Sequence, residues 1–201
     1  MKREGILCYR NRNDHERGSM QKRDEAAQKI ALCKESRRAY LDLSGLELDT
    51  LPDAIGELTW LEALSIARNN LEDIEAIAPL KNLRKLSFSG NAITNIEPIE
   101  GFSRLKFLFM QENQIADIST LKRLEKLKKI VAHHNCIADI GAITDLQSLV
   151  FLDLAYNPLE DPTRVTEIPS LIWLRLEGHH LSKDAAEEIA AALPHLKHFV
   201  Y

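Results

Sequence analysis

The sequence predicts an α/β solenoid, in which short parallel strands line a concave side and 3₁₀, irregular or helical segments form a convex side. Three observations lead to this prediction. Apolar residues recur with a period of 22 residues, an asparagine recurs at one fixed place in the period, and the apolar spacing changes from two residues to three within each period. A unit of this length cannot bury its apolar side alone, so consecutive units must stack.

Six segments in register define the period. They start at Leu61, Leu83, Leu105, Leu127, Leu149 and Leu171, each 22 residues after the previous one. Apolar residues occupy positions 1, 4, 6, 11, 14, 17 and 20 of the segments. Positions 4 and 6 alternate as in a strand, whereas positions 11 to 20 are spaced three apart, as in a 3₁₀ or irregular return limb. One period is therefore expected to contain a strand, a turn and a return limb.

Polar residues at two positions fit the same unit. Position 9 is asparagine in five consecutive periods: Asn69, Asn91, Asn113, Asn135 and Asn157. An inward amide at a bend can satisfy backbone groups that the bend leaves unpaired, so we expect these side chains to form a ladder along the solenoid. Position 13 is aspartate at Asp73, Asp117, Asp139 and Asp161. These carboxylates are expected to serve the turn that follows.

The pattern LxxLxLxxNxIxxIxxIxxL resembles the leucine-rich repeat family, in the 22-residue subclass shared by bacterial internalins and a nuclear regulatory subunit of protein phosphatase 1. The resemblance covers about residues 38–201. It implies a curved leucine-rich repeat solenoid with a parallel sheet on the concave side. Its motif is specific for the fold and says almost nothing about the partner.

The two ends of the chain depart from the period. Residues 1–20 are polar and irregular and are expected to be a mobile tail, whereas residues 21–37 are expected to form an amphipathic helix that caps the first apolar layer. Residues 38–195 are expected to comprise seven repeats, the last with a longer helix. Residues 196–201 match the start of a final partial strand, and the whole is expected to be a single domain.

Composition and motifs argue against several classes of function. The chain carries 26 Lys and Arg against 30 Asp and Glu, a net charge of −4, which disfavours a nucleic-acid binder. No apolar run approaches the roughly 20 residues that cross a bilayer, and the first residues do not resemble a secretory signal. The three cysteines share no CxxC spacing, so neither a disulfide framework nor a zinc cluster is expected. We expect a cytoplasmic monomer without membrane contact, cofactor or metal.

The repeat also predicts which side chains face the concave solvent side. Positions 4 and 6 point into the core, so positions 3, 5, 7 and 8 point into the hollow of the arc. In the C-terminal half these positions combine aromatic residues with a charged rim, as protein-binding hot spots do. The candidate partner-binding residues are Phe107, Phe109, Glu112, Lys129, Val131, His133, His134, Phe151, Asp153, Tyr156, Trp173 and Arg175.

The sequence therefore predicts a non-catalytic module that binds another protein through its concave face, as an inhibitor, a regulator or an immunity-type protein. Two alternatives remain open. One is a hydrolytic or metal-dependent enzyme that uses His133, His134 and Glu112. The other is a structural repeat protein that associates with itself through the same patch. No phosphate loop, G-x-S-x-G elbow or pair of catalytic carboxylates supports an enzyme.

Overall fold

A computed structural model describes residues 12–201 of the chain, with side chains from residue 21 onward. Eight three-residue strands form one parallel sheet in sequence order. They are β1 (Tyr40–Asp42), β2 (Ala63–Ser65), β3 (Lys85–Ser87), β4 (Phe107–Phe109), β5 (Lys129–Val131), β6 (Phe151–Asp153), β7 (Trp173–Arg175) and β8 (His198–Val200). The predicted solenoid is confirmed, because sequential parallel strands with one return limb between each pair are what a stacked repeat produces.

The return limbs are mostly short 3₁₀ helices, as the three-residue spacing predicts. They span Asp53–Glu57, Glu75–Ile77, Glu97–Ile99, Ser119–Arg123, Gly141–Ile143 and Pro162–Glu167. The last limb instead contains an α-helix, α2 (Lys183–Ala192), whose N-cap is Ser182 with its hydroxyl accepting from the Ala185 amide. Within the described residues no helix is both long and apolar enough to cross a membrane.

The strands pair so that equal positions of the repeat lie side by side. Leu86 pairs with Leu108, and Leu108 pairs with Ile130. These central residues are buried in one continuous core, together with the apolar residues of the return limbs. The other face of the sheet, formed by positions 3, 5, 7 and 8, points away from this core and is called the open face below.

The predicted asparagine ladder is present. The Asn113 amide nitrogen donates to the carbonyls of Phe88, Met110 and Gln111 at 3.1, 3.1 and 3.2 Å, and its amide oxygen accepts from the Ile93 N–H at 3.1 Å. The other four asparagines make the corresponding bonds one repeat apart. In the last repeat His179 takes this place, and its Nε2 lies 3.1 Å from the Leu154 carbonyl.

The aspartates at position 13 order the start of each return limb, as predicted. The Ser119 amide donates to the Asp117 carboxylate at 2.7 Å, and the Gly141 amide donates to Asp139 at 2.8 Å. This bond lowers the pKa of Asp117, because it stabilises the charged carboxylate. Each such contact closes a local turn just before the 3₁₀ helix.

The N-terminal helix α1 spans Arg12–Ser36 and therefore begins earlier than expected. Residues 12–20, which the sequence analysis assigned to a mobile tail, lie in this helix, and residues 1–11 of that segment lie outside the described residues. Ala26, Ile30 and Cys33 are buried against the first repeat, at the i, i+4, i+7 spacing of one helix face. The helix thus covers the first apolar layer.

Removing one rung of the ladder tests its contribution. We expect Asn113→Ala to lower the free energy of unfolding by about 3 kcal/mol, because several buried backbone groups lose their partner. Urea denaturation followed by circular dichroism measures the change. The neighbouring Gln114→Ala, at an exposed position, should stay within about 0.5 kcal/mol of the parent. Equal losses in the two variants would show that the ladder does not stabilise the solenoid.

Candidate functional site

The open face brings the predicted side chains together in rows. Strand pairing places Phe107, Lys129, Phe151 and Trp173 next to one another at position 3, and Phe109, Val131, Asp153 and Arg175 at position 5. Both rows were predicted from the period. Phe107 and Tyr156 are 38% and 41% exposed, so large rings at this face do reach solvent.

The aromatic row, defined here as Phe107, Phe109, Phe151 and Trp173 with Lys129, is held by ring contacts. Phe151 and Trp173 stack with centroids 3.9 Å apart and planes only 4° from parallel. The Lys129 ammonium lies 3.6 Å from the Phe151 centroid and 5.5 Å from that of Phe109. Such a cation–π contact is worth about 0.5–1 kcal/mol at an exposed site. Phe151, Trp173 and Lys129 are therefore held in place by one another.

Next to the aromatic row lies a polar group that we call the arginine cluster: His134, Asp153, Tyr156, Arg175 and Glu177. Arg175 donates through Nε to the Glu177 carboxylate at 3.0 Å, and its Nη1 lies 3.7 Å from Asp153. The Tyr156 hydroxyl donates to Glu177 at 2.7 Å. The His134 ring stacks on Tyr156 with centroids 4.5 Å apart. Each side chain is thus fixed by at least one other member.

These contacts shift three pKa values. The Tyr156 hydroxyl, followed by the Arg175 guanidinium, lowers the pKa of Glu177 because both stabilise the carboxylate. The same bond raises the pKa of Tyr156, since its hydroxyl proton is held by Glu177. Hydrogen bonding to Glu177 also raises the pKa of Arg175. At neutral pH the cluster therefore presents an ionised carboxylate, a neutral phenol and a charged guanidinium.

Position 8 of the repeat has a left-handed backbone. Glycine fills it at Gly90 and Gly178, with φ of 66° and 90°, but Arg68, Glu112, His134 and Tyr156 adopt φ of 55°, 57°, 54° and 55°. A left-handed L-residue costs roughly 1–2 kcal/mol, so these four side chains stand where glycine would be more stable. Because Arg68 lies outside the candidate site, the left-handed backbone is a feature of the repeat and not of the site alone.

Gly178 makes room for Tyr156. A Cβ atom at Gly178 would lie 2.7 Å from Cδ1 of Tyr156. The ring is therefore enclosed between the Gly178 backbone on one side and the stacked His134 ring on the other. A tyrosine at a left-handed position is held in one place by its two neighbours on the same face.

Two predicted contact residues need correction. Val131 and Asp153 are only 8% and 5% exposed, although their position faces away from the core. Neither can touch a partner without a rearrangement of its neighbours. Asp153 instead positions Arg175 from below and caps the Ala155 amide at 3.2 Å.

The two histidines differ in their surroundings. His134 is exposed, whereas His133 is half-buried and its Nδ1 is enclosed with no hydrogen-bond partner among the described residues. Their rings meet edge to face with centroids 5.3 Å apart. Within residues 21–201 no group of three His, Cys, Asp or Glu side chains is arranged to hold a metal ion. The histidine-based enzymatic alternative thus gains no supporting geometry.

Sequence reasoning missed two residues that the structure places in this site. Glu177 accepts hydrogen bonds from both Tyr156 and Arg175, and the Lys85 ammonium lies 5.5 Å from the Phe109 ring centroid. Both occupy open-face positions, so the signal was available in the register. Glu177 follows Arg175 by two residues, at position 7, and Tyr156 holds position 8 of the preceding repeat, so all three lie on the open face.

Comparison with known proteins finds the same architecture. The family model for two copies of leucine-rich repeats matches residues 81–123. No curated protein is significantly similar to the chain in sequence.

Three solved structures are similar to this chain. An internalin (inlF) of Listeria monocytogenes is 30% identical with a TM-score of 0.71, over 76% of this chain and 44% of that one. Internalin C2 of the same species is 30% identical with a TM-score of 0.62, over 64% and 57%. A leucine-rich repeat protein of Leptospira interrogans is 25% identical with a TM-score of 0.68, over 76% and 40%. The match thus spans roughly half or less of each of these chains.

The packing of the Tyr156 ring against Gly178 can be tested by adding a methyl group at Gly178. We expect Gly178→Ala to lower the free energy of unfolding by about 2–3 kcal/mol, because backbone strain and a steric clash add together. The clash should also displace Tyr156 from His134, which changes the ring-current shift of the His134 protons in an NMR spectrum.

Gly45→Ala is the matched control. Gly45 has a φ of 71°, but nothing lies within 4 Å of its added Cβ. It should lose only about 1 kcal/mol, the strain alone, and leave the His134 signals unchanged. A Gly178→Ala variant that behaves like Gly45→Ala would contradict the packing described here.

The lowered pKa of Glu177 makes a prediction for acid stability. A carboxylate whose pKa is depressed in the folded state stabilises the fold above its ordinary value of 4.5, and this contribution is lost as the pH falls through the folded-state pKa. The melting temperature of Glu177→Gln should therefore fall less than that of the parent between about pH 6 and about pH 3.5. Glu160→Gln removes the same charge at an exposed position outside the arginine cluster and serves as the control. Parallel curves for parent and Glu177→Gln would refute the linkage.

Proposed function

We propose that this chain, which belongs to the leucine-rich repeat proteins, is a non-catalytic module that binds another protein through the open face of its C-terminal half. Proteins with these repeats generally mediate protein–protein interaction. The observation that carries the proposal is the aromatic row. Its rings lie on the solvent side of a sheet whose core is already filled by leucine and isoleucine.

The composition of this surface matches what protein interfaces use. Binding energy concentrates in a few aromatic and arginine residues near the centre of an interface, surrounded by polar groups that exclude water. Phe107, Phe151 and Trp173 provide the rings, and Arg175 lies two residues after Trp173 on the same strand. Lys129, Glu112 and His134 contribute polar groups around them.

Preorganisation supports the same proposal. Ordering a mobile side chain on binding costs about 0.5–1.5 kcal/mol. The Phe151–Trp173 stack and the Arg175–Glu177–Tyr156 bonds already fix five large side chains in the free protein. Binding of a partner here therefore costs little further side-chain entropy. A small interface can then bind with useful affinity.

A narrower form of the proposal concerns what binding achieves. A cytoplasmic module of this kind, acting as a monomer, would serve as a regulator, inhibitor or immunity-type protein that holds its partner in one state.

Two truncations test the site. We expect Phe107→Ala and Trp173→Ala each to weaken binding by about 2 kcal/mol, or roughly thirtyfold in Kd, because each removes a ring from the interface centre. The partner is recovered by pull-down from native lysate, and its affinity for each variant is measured by calorimetry. Ile172→Ala is the control, since Ile172 is 37% exposed and adjacent to Trp173 but lies outside the open-face positions.

Three outcomes are informative. Loss in both aromatic variants but not in Ile172→Ala supports the proposal. Unchanged affinity in both aromatic variants refutes it. Concentration-dependent sedimentation that disappears in Trp173→Ala, with no other protein captured, would replace the foreign partner with a second copy of this chain.

A further inference from the structure

A second feature of the open face lies in the N-terminal half. A shallow cavity of about 200 Å³ opens there between the first four strands. It is lined by Tyr40, Ala63, Leu64, Ser65, Lys85, Ser87 and Phe109. Apart from Phe109, none of these residues is among the candidate partner-binding residues predicted from the sequence.

The cavity has a small-residue floor between two rings. Ala63, Ser65 and Ser87 lie on β2 and β3, whereas Tyr40 and Phe109 rise from β1 and β4. The outer strands are three spacings apart, about 14 Å. Pockets for drug-sized ligands usually measure about 300–1,000 Å³, so this one suits a single side chain better than a free small molecule.

The charge of the cavity is positive. Lys85 is the only residue among its lining that is charged at neutral pH, and its ammonium lies 5.5 Å from the Phe109 centroid. Lys129 approaches the same ring at 5.5 Å from the neighbouring strand. Neither ammonium lies within salt-bridge distance of a carboxylate among residues 21–201, in contrast to Arg175. Two cations without an acidic partner thus meet at one aromatic ring.

The serine hydroxyl groups in the cavity lining can also donate hydrogen bonds. Ser65 and Ser44 share a hydrogen bond of 2.6 Å, which occupies one of them, whereas Ser87 has only a long contact of 3.4 Å with Ser89. Ser87 can therefore turn its hydroxyl toward an incoming acceptor. An ammonium and a hydroxyl on the same strand form a donor pair that suits a carboxylate.

We propose that this pocket receives an acidic side chain, Asp or Glu, of a polypeptide partner, with its carboxylate at Lys85 and its methylenes against the Phe109 ring. The inference rests on the proposed function, since the same partner would cover the aromatic row. A polyanion such as a nucleic acid fits less well, because Asp42 and Glu112 stand on the chain segments that carry the two rings. One carboxylate pairs with the lysine and adds a single negative charge near these residues, whereas a polyanion would add several.

The experiment uses a defined probe, a display library of random twelve-residue peptides selected on the full chain. Selected peptides should be enriched in Asp or Glu at one fixed position relative to the unselected library. The Kd of the most enriched peptide is then measured for the parent, Lys85→Met, Lys128→Met and Trp173→Ala. Lys128→Met removes the same charge at an exposed position outside the open face and serves as the matched control.

The expected result is a loss of about tenfold in affinity for Lys85→Met and none for Lys128→Met. Replacing the peptide carboxylate by its amide should weaken binding to the parent but not to Lys85→Met, and added salt should weaken binding to the parent more. Peptides without acidic enrichment, or equal affinity of parent and Lys85→Met, overturn the inference.

Trp173→Ala separates this inference from the proposed function. Binding that depends on Trp173 but not on Lys85 refutes the acidic pocket and leaves the C-terminal interface standing. Binding that depends on Lys85 but not on Trp173 retains the pocket and refutes the larger site. A selection that yields no peptide dependent on either residue refutes both.

Discussion

The structure depends on the hydrogen bonds of the buried asparagines. Each strand must turn sharply after position 6 to enter its return limb, and the turn leaves carbonyl and amide groups that neither strand nor helix can pair. The Asn113 amide satisfies groups in its own repeat and in the repeat before it. Because an unpaired buried polar group costs about 1–3 kcal/mol, only a stack in which every asparagine meets the correct turn is stable. The ladder therefore fixes the spacing between repeats.

A fixed spacing explains the open face. When identical positions of successive repeats align, each side chain meets the same position on the next strand, one strand spacing of about 4.8 Å away. Phe151 and Trp173 stack because both occupy position 3, and His134 stacks on Tyr156 because both occupy position 8. The arrangement of the surface thus follows from a register that is set in the core.

The period predicts the fold and the face of each side chain, but it does not predict how neighbouring side chains divide the space. It placed Phe107, Lys129 and Trp173 in one row correctly. It did not predict that Asp153 is covered or that Glu177 joins Tyr156 and Arg175, because these outcomes depend on the rotamers and sizes of cross-strand neighbours. The start of α1 at Arg12 was also not predicted, because the polar residues before the capping segment carry no apolar period. The period of the apolar residues predicts which side chains are buried. It does not predict which polar contacts form between side chains on the open face.

The left-handed position 8 shows how much backbone strain the repeat tolerates. Stability alone favours glycine there, and Gly90 and Gly178 show that the repeat accepts it. Four other repeats carry Arg68, Glu112, His134 and Tyr156 instead, at a cost of roughly 1–2 kcal/mol each. No core contact offsets this cost, because these side chains are exposed. The strain therefore extends along the open face beyond the aromatic row, and the stacked core with its asparagine ladder must be stable enough to hold it.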